Sequence, residues 1–395
     1  MRKRSALWGM EIRSWAFLGI LAIAALLFTR GSIDGELLNY DDERYIENNA
    51  LIENFSSEGI GEIFTSYFDG HYHPLTLLSL AIDRSLSEDA VFSHHRTNWW
   101  LHLFNSILVF FLLSRLFPER ELLAFGTSLL FLLHPMNVES YAWMTERKNV
   151  LYSFFFLLAC WQYVRYSNDT KKKALLLVTY VFLLFSLLSK AQAVVLLPVF
   201  FLIDYVQNRS FSAVAIYLEK LPALLIFSAF LFITREAQVE EWGNLSSEVY
   251  SRLDKLFLAS TGFALYLLKG VVPIQLSPYY PYPEALGLSL SSVHYAAVLV
   301  PLAFIGLLVV LIRNDQRIWV WGLAFFFLNI VLMLKFLDVP YGDYLMANRY
   351  IYLPSIGLIW TVLLLVNHLL AKKGSKMSLA YVISALAIWY GWKSI

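Results

Sequence analysis

Apolar runs long enough to cross a ~30 Å hydrocarbon layer recur along almost the whole of this chain. That recurrence leaves no stretch from which a sizeable soluble domain could be built. Of 395 residues, 58% are hydrophobic and 15% charged, and the mean hydropathy is +0.57. This composition predicts an all-α polytopic membrane protein, residues 1–395 forming one transmembrane domain. Cys160 is the single cysteine and lies in an apolar run, which excludes a disulfide framework and a cysteine-rich metal site.

The first apolar run, Trp15 to Thr29, has no small-residue cleavage site after it and reads as a retained helix, not a signal peptide. Arg2, Lys3, Arg4 and Arg13 before it place the N-terminus in the cytoplasm by the positive-inside rule. Further spans are expected near 97–117, 122–134, 149–166, 173–189, 191–206, 219–234, 294–312, 318–335, 351–370 and 378–394, about eleven in all. Strict alternation then puts PERE, SNDTKKK, QNRS, RNDQR and AKKGSK inside, where the basic clusters belong. It leaves large extracytoplasmic segments at 30–96 and 235–293, and the C-terminus outside with no tail beyond the last helix. Two stretches resist alternation. Residues 250–270 are apolar enough to cross, but a crossing there would put RNDQR and AKKGSK outside, so they read as an amphipathic helix at the outer interface or a re-entrant piece. Residues 74–86 are too short to cross and end in charge.

Charge on the outer side needs a reason. Asp41 and Asp42 stand side by side just past the first helix, followed by Glu43 and Arg44. His71 and His73 precede a helix begun by Pro74, whose free N–H groups could seat a phosphate; a proline-capped interfacial helix with two wetted histidines is the plain alternative. Glu139, Glu146, Arg147 and Lys148 lie between two apolar runs, although Lys148 could simply snorkel. Lys190 is nearly alone in a tight outer turn. Arg349, suited to bidentate phosphate contact, and Tyr350 mark the mouth of another helix, where Tyr352 reads as an interface-belt aromatic. Cations from several loops opposite a carboxylate pair suggest group transfer from a phosphate-linked donor.

NYDDERY, HPLTLLS, HPMNVESYAWMTERKNVL, LLSKAQ and ANRYIYLPSIG, in this order, resemble the membrane part of the transmembrane-and-tetratricopeptide-repeat O-mannosyltransferases and their bacterial relatives. The match runs over roughly 30–200, then 258–282 and 346–357. More distantly the pattern is similar to lipid A aminoarabinose transferases and protein O-mannosyltransferases of the GT-C fold. The resemblance implies a GT-C-type bundle in a bacterial inner membrane. It implies transfer of a sugar, mannose among the candidates, from a polyprenyl phosphate to a hydroxyl outside the cytoplasm. It also implies that Asp41 is the base with Asp42 second, and that His73, Arg147, Lys190 and Arg349 bind the donor phosphate. Arg44, His71, Glu139, Lys148 and Tyr350 are further candidates. Two departures stand out: Asn149 occupies a position where the family usually has Asp, and the repeat domain expected after the last helix is missing.

The chemistry agrees with this on its own grounds. A lipid phosphate leaves well once its charge is stabilised, and an acceptor hydroxyl needs a base, so one in-line displacement with inversion suffices. The scheme requires no cofactor, though Asp41, Asp42 and Glu43 leave room for a divalent cation. The expected partners are a polyprenyl-phosphate sugar, membrane lipids, and a protein Ser or Thr or else a lipid or glycan as acceptor; no nucleic acid is expected. A polyprenyl-lipid transporter or a non-catalytic scaffold are the rival readings. No internal repeat supports the first, and the gathering of charge on one side argues against the second.

Overall fold

The computed structural model describes residues 12–38, 40–242, 250–283, 290–334, 344–372 and 378–394. Arg2, Lys3 and Arg4, on which the expected orientation leans, lie outside the described residues, as do parts of the segments 235–293 and 336–350 and most of AKKGSK. The described chain is helical apart from one antiparallel pair, β1 (Tyr280–Pro281) and β2 (Tyr344–Met346).

Helix α1 (Ile12–Phe28) is followed by the short α2 (Ala50–Glu53) and α3 (Ser57–Thr65), then α4 (Pro74–Leu86) and α5 (Ala90–Leu116). After these come α6 (Glu121–Leu132), α7 (Val138–Ala142), α8 (Arg147–Asn168), α9 (Lys173–Ser189) and α10 (Leu196–Val206). The remainder is α11 (Val214–Leu218), α12 (Leu221–Trp242), α13 (Arg252–Val271), α14 (Ser292–Ala297), α15 (Leu299–Arg313), α16 (Arg317–Ile330), α17 (Pro354–Lys372) and α18 (Leu379–Ser394). Each of the eleven expected segments falls on helix, 294–312 being divided between α14 and α15. Among the described residues, five helices are long and apolar enough to cross a membrane, Ala90–Leu116, Val214–Glu241, Ser292–Arg313, Arg317–Leu334 and Pro354–Lys372, and the bent pair Pro118–Leu132 and Pro135–Ala142 makes a sixth if it is one span.

Local chemistry sets the breaks that shape the site. Pro135, which cannot continue a helix, stops α6, and the chain bends by 51° into α7, so the expected outer loop 135–148 is itself largely helical. His134 ties the bend, accepting from the Met136 N–H at 3.2 Å and bonding the Gly270 carbonyl on α13 at 3.0 Å through Nε2. Pro74 opens α4, with His73 in the capping position. Asp89 caps α5 by accepting from the Phe92 N–H at 2.9 Å. Where α16 crosses α17, a Cβ on Gly322 would meet the Gly357 carbonyl oxygen at 2.8 Å, so only glycine lets the two backbones approach this closely.

One large core joins α1, α5, α6, α8, α9, α10, α12, α16, α17 and α18. A second core centres on Phe263 of α13, against Phe304, Phe326 and Leu358. The partners of α13 identify its level in the bundle. Tyr266 donates to the Ala347 carbonyl at 3.1 Å, and Gly270 packs against Ile351 and Leu358 at the start of α17. Helix α13 thus lies against the end of the bundle that carries β2 and the first turns of α17.

Two polar clusters occupy opposite ends of α8. One surrounds Asn149 near its start. The other surrounds Tyr163 and Tyr166 near its end, on the order of 20 Å away at 1.5 Å per residue. At that far end Asp204 is fully buried; it receives Lys220 at 2.5 Å, Arg209 at 2.9 Å and the Tyr163 hydroxyl at 2.9 and 3.0 Å, while Arg209 also pairs with Glu219 at 2.8 Å. Its acids and bases satisfy one another, which marks it as a clamp between α8, α10 and the connection that leads into α12.

Candidate active site

The near cluster is built from the start of α8 outward. Because a helix turns by about 100° per residue, Glu146 and Asn149, three apart, share one face, while Arg147 between them points away. Asn149 donates through Nδ2 to Glu146 and, at 3.2 Å, to the Arg349 carbonyl; its Oδ1 accepts from Lys190 Nζ at 2.5 Å. One amide therefore joins α8 to the turn after α9 and to the turn before α17. Glu146 is buried, with Arg349 Nε at 3.4 Å and Lys148 Nζ at 3.8 Å. Arg349 also pairs with Glu139 at 2.6 Å, and its guanidinium lies over the rings of Trp143 at 5.3 Å, Tyr344 at 5.5 Å and Tyr350 at 5.1 Å. Lys190 faces the rings of Tyr152 at 5.6 Å and Tyr350 at 5.5 Å, and the Tyr350 and Tyr344 hydroxyls bond at 2.5 Å.

Asp41 stands at the edge of this group. Its half-buried carboxylate accepts no hydrogen bond among the described residues. Burial holds it above the ordinary carboxylate range, Glu146 and Asp69 add to that, and Lys148 and Arg349 work against it. Burial pushes the Lys190 ammonium down to about 7 against the pull of Glu146, and Lys148 and Arg349 push it further. Burial alone would raise Glu146, but Lys148, Lys190 and Arg349 outweigh it and keep this carboxylate below its usual value.

The two loop histidines sit beside the cations and stay neutral. Burial, with Lys148 and Lys190 nearby, drives His71 to about 3 and His73 well below its ordinary value. His73 is 4% exposed, stacks on Tyr45 at 5.7 Å, and keeps Nε2 without a hydrogen-bond partner. It offers an anion a hydrogen bond and no charge. Lys148 covers the other side of this corner, 4.8 Å above the Tyr45 ring.

The structure thus gathers Asp41, His71, His73, Glu139, Lys148, Lys190, Arg349 and Tyr350 in one place, and sends three expected site residues elsewhere. Arg147, expected at the donor phosphate, is fully buried on the opposite face of α8. There it pairs with Asp83 at 2.6 Å and bonds Asn98, Ser79 and the His94 carbonyl, so its donors are spent on holding α4 and α5. Asp42, expected as the second catalytic acid, is buried and clamps the chain instead, accepting from the Leu38 N–H at 3.0 Å and from the Thr145 N–H and hydroxyl at 3.2 and 2.5 Å. With Asp42 turned inward and Glu43 exposed toward Asn48, the three adjacent carboxylates do not converge on a common point. Arg44 lies on the surface, bridging Asp69 and Glu241 at 2.5 Å each. Sequence reasoning missed Glu146 as the centre of the cluster and Asn149 as its connector. The signal was there in the i,i+3 spacing of TERKN at a helix start.

No protein-family model matches the chain. In sequence it is 27% identical over 184 residues, 43% of its length, to the protein O-mannosyl-transferase F38B6.6 of Caenorhabditis elegans. It is 31% identical over 156 residues, 37% of its length, to human protein O-mannosyl-transferase TMTC1, and 30% identical over 185 residues to mouse TMTC4. These matches take in 25%, 18% and 24% of those proteins, so the chain spans about a quarter or less of the curated relatives it matches. Among solved structures, the apo oligosaccharyltransferase of Archaeoglobus fulgidus aligns over 99% of this chain and 55% of that one, with a TM-score of 0.49 and 13% identity.

Proposed function

We propose that this chain, a relative of the protein O-mannosyltransferases, is an integral membrane glycosyltransferase of the GT-C type that moves a hexose from a polyprenyl phosphate to an acceptor hydroxyl. The observation that carries this reading is the arrangement of Lys148, Lys190 and Arg349 around Glu146, with Asp41 at the edge as the carboxylate that has no hydrogen bond to lose.

In this reading the donor phosphate docks against Lys190 and Arg349, with the His73 ring as a neutral hydrogen-bonding partner. The acceptor oxygen attacks the anomeric carbon and gives its proton to Asp41 as the carbon–oxygen bond to the phosphate breaks. The electron pair leaves on the lipid phosphate, whose charge the two cations stabilise. Attack from the side opposite the leaving group inverts the anomeric configuration. Glu139 and Glu146 hold Arg349 in place before the donor arrives, so the cation costs little to position at the moment of reaction.

The positive-inside pattern supports placing this end of the bundle on the extracytoplasmic side, and the relatives favour a protein Ser or Thr as acceptor, with mannose the first sugar to try. The test is the purified chain in nanodiscs with a series of polyprenyl-phosphate hexoses, offered Ser/Thr peptides, lipid acceptors and glycans in turn. Transfer to one acceptor class with an inverted anomeric centre is expected. No transfer from any lipid-phosphate sugar, with the donor binding no tighter than to a Lys190→Ala, Arg349→Ala double variant, would overturn it.

A further inference from the structure

Trp143 is the ring that reaches both sides of the site. The ring of Tyr40, the residue next to the candidate base Asp41, stands against it edge-on at 5.9 Å, and the guanidinium of Arg349, the candidate phosphate ligand, lies over it at 5.3 Å. A sugar passing from a phosphate near Arg349 to an acceptor activated at Asp41 has to lie between these two groups. Trp143, in contact with Arg349 and with the residue before Asp41, borders that path.

Two buried polar atoms there have no partner. The indole Nε1–H of Trp143, a residue 8% exposed, makes no hydrogen bond, and neither does Oε2 of Glu139, whose other oxygen holds Arg349. Both belong to one short stretch, joined by the Trp143 N–H bond to the Glu139 carbonyl at 3.4 Å. A buried donor or acceptor left unpaired is expensive, so native proteins rarely keep one without use. Here a donor and an acceptor four residues apart in sequence are both unpaired. A sugar hydroxyl both accepts and donates, and so supplies a partner of either kind.

We infer that Trp143, with Glu139 and Tyr40, forms the subsite that reads a hydroxyl of the transferred saccharide, the indole N–H donating to it and Glu139 accepting from it. This rests on the transfer reaction proposed above. Tyr40, 64% exposed, is the ring that gives way for the sugar and then lies along its C–H face.

The test compares binding of a polyprenyl-phosphate hexose with that of the bare polyprenyl phosphate in nanodiscs. Trp143→Phe keeps a ring and removes the N–H. It should weaken the sugar-bearing lipid about tenfold, one hydrogen bond's worth, while the bare lipid phosphate binds within about twofold of wild type. Equal losses for both lipids would mean that Trp143 only holds Arg349, and no loss for either would equally overturn the subsite. Wild-type protein supplies a second arm, independent of how the variant folds: donors lacking one sugar hydroxyl at a time. One of them should lose about tenfold in wild type and nothing further in Trp143→Phe, and indifference to every deoxy position would overturn the inference. Failure of wild type to bind even the bare lipid phosphate would instead count against the proposed function.

Discussion

Lys190 and Glu146 meet on the two ends of a single side-chain amide: Asn149 accepts from Lys190 at 2.5 Å and donates to Glu146. An Asp in place of Asn149 keeps the acceptor toward Lys190 but turns the donor end into a second carboxylate facing Glu146. Asn149→Asp should therefore raise the Lys190 pKa through the added negative charge and loosen Glu146 by like-charge repulsion. We expect the alkaline limb of activity to move to higher pH, with thermal stability reduced, and Glu146→Gln added to Asn149→Asp should recover the stability. An unshifted pH profile would show that Asn149 does not couple to Lys190.

Activity should follow a narrow bell against pH. Transfer needs Asp41 ionised, so it is lost as pH falls through a carboxyl value that burial has raised, and it needs Lys190 protonated, so it is lost as pH rises through about 7. Lys190→Arg should extend the alkaline side, because a guanidinium does not titrate there. Stability runs with the opposite sign. Between about 7 and the ordinary lysine value, folded Lys190 binds fewer protons than unfolded Lys190, so the folded state gains stability as pH rises through that window. Thermal unfolding of wild type against Lys190→Met across this range checks it, the variant being expected to show the flatter profile.

Arg147 should behave as structure, not as a ligand. Removing its carboxylate with Asp83→Asn leaves a buried guanidinium without its counter-ion, a change that typically costs about 3–5 kcal/mol. The folded fraction should bind a bare polyprenyl phosphate as wild type does. A specific loss of phosphate affinity in well-folded Asp83→Asn would return Arg147 to the donor site.

The clamp at the far end of α8 should likewise set stability without touching chemistry. Lys220→Met removes one of three partners of the buried Asp204, and about 3 kcal/mol is expected at the unfolding midpoint. The double variant Asp204→Asn, Lys220→Met should cost less than the sum of the two single changes, because it leaves no unpaired charge. Additive losses would mean that the two residues do not act as a pair.

How far the chain could be read depended on the physics involved. Apolar period and length were enough to place a helix at each of the eleven expected segments, because a chain in lipid has almost no other way to satisfy its backbone. Lys190 and Arg349 were legible because each stands nearly alone in an apolar setting, where a charge needs a reason. Arg147 and Lys148 are neighbours of the same sign, and which of them faced the site depended on the helical phase at the start of α8, which follows a break at the extended Trp143 that nothing in the sequence marks. Asp41 and Asp42 posed the same problem. Nothing local distinguished the one that caps Thr145 from the one left open, since Thr145 lies 103 residues away.

The central claim is that Asp41 takes the acceptor proton while Lys190 and Arg349 hold the lipid phosphate. Asp41→Asn keeps the shape of the side chain and removes the base. Assayed in nanodiscs with a polyprenyl-phosphate sugar and the acceptor class found active, it should lower turnover by ~10²-fold to 10⁴-fold and leave donor affinity and the unfolding midpoint close to wild type. Turnover by Asp41→Asn equal to that of wild type would contradict the account.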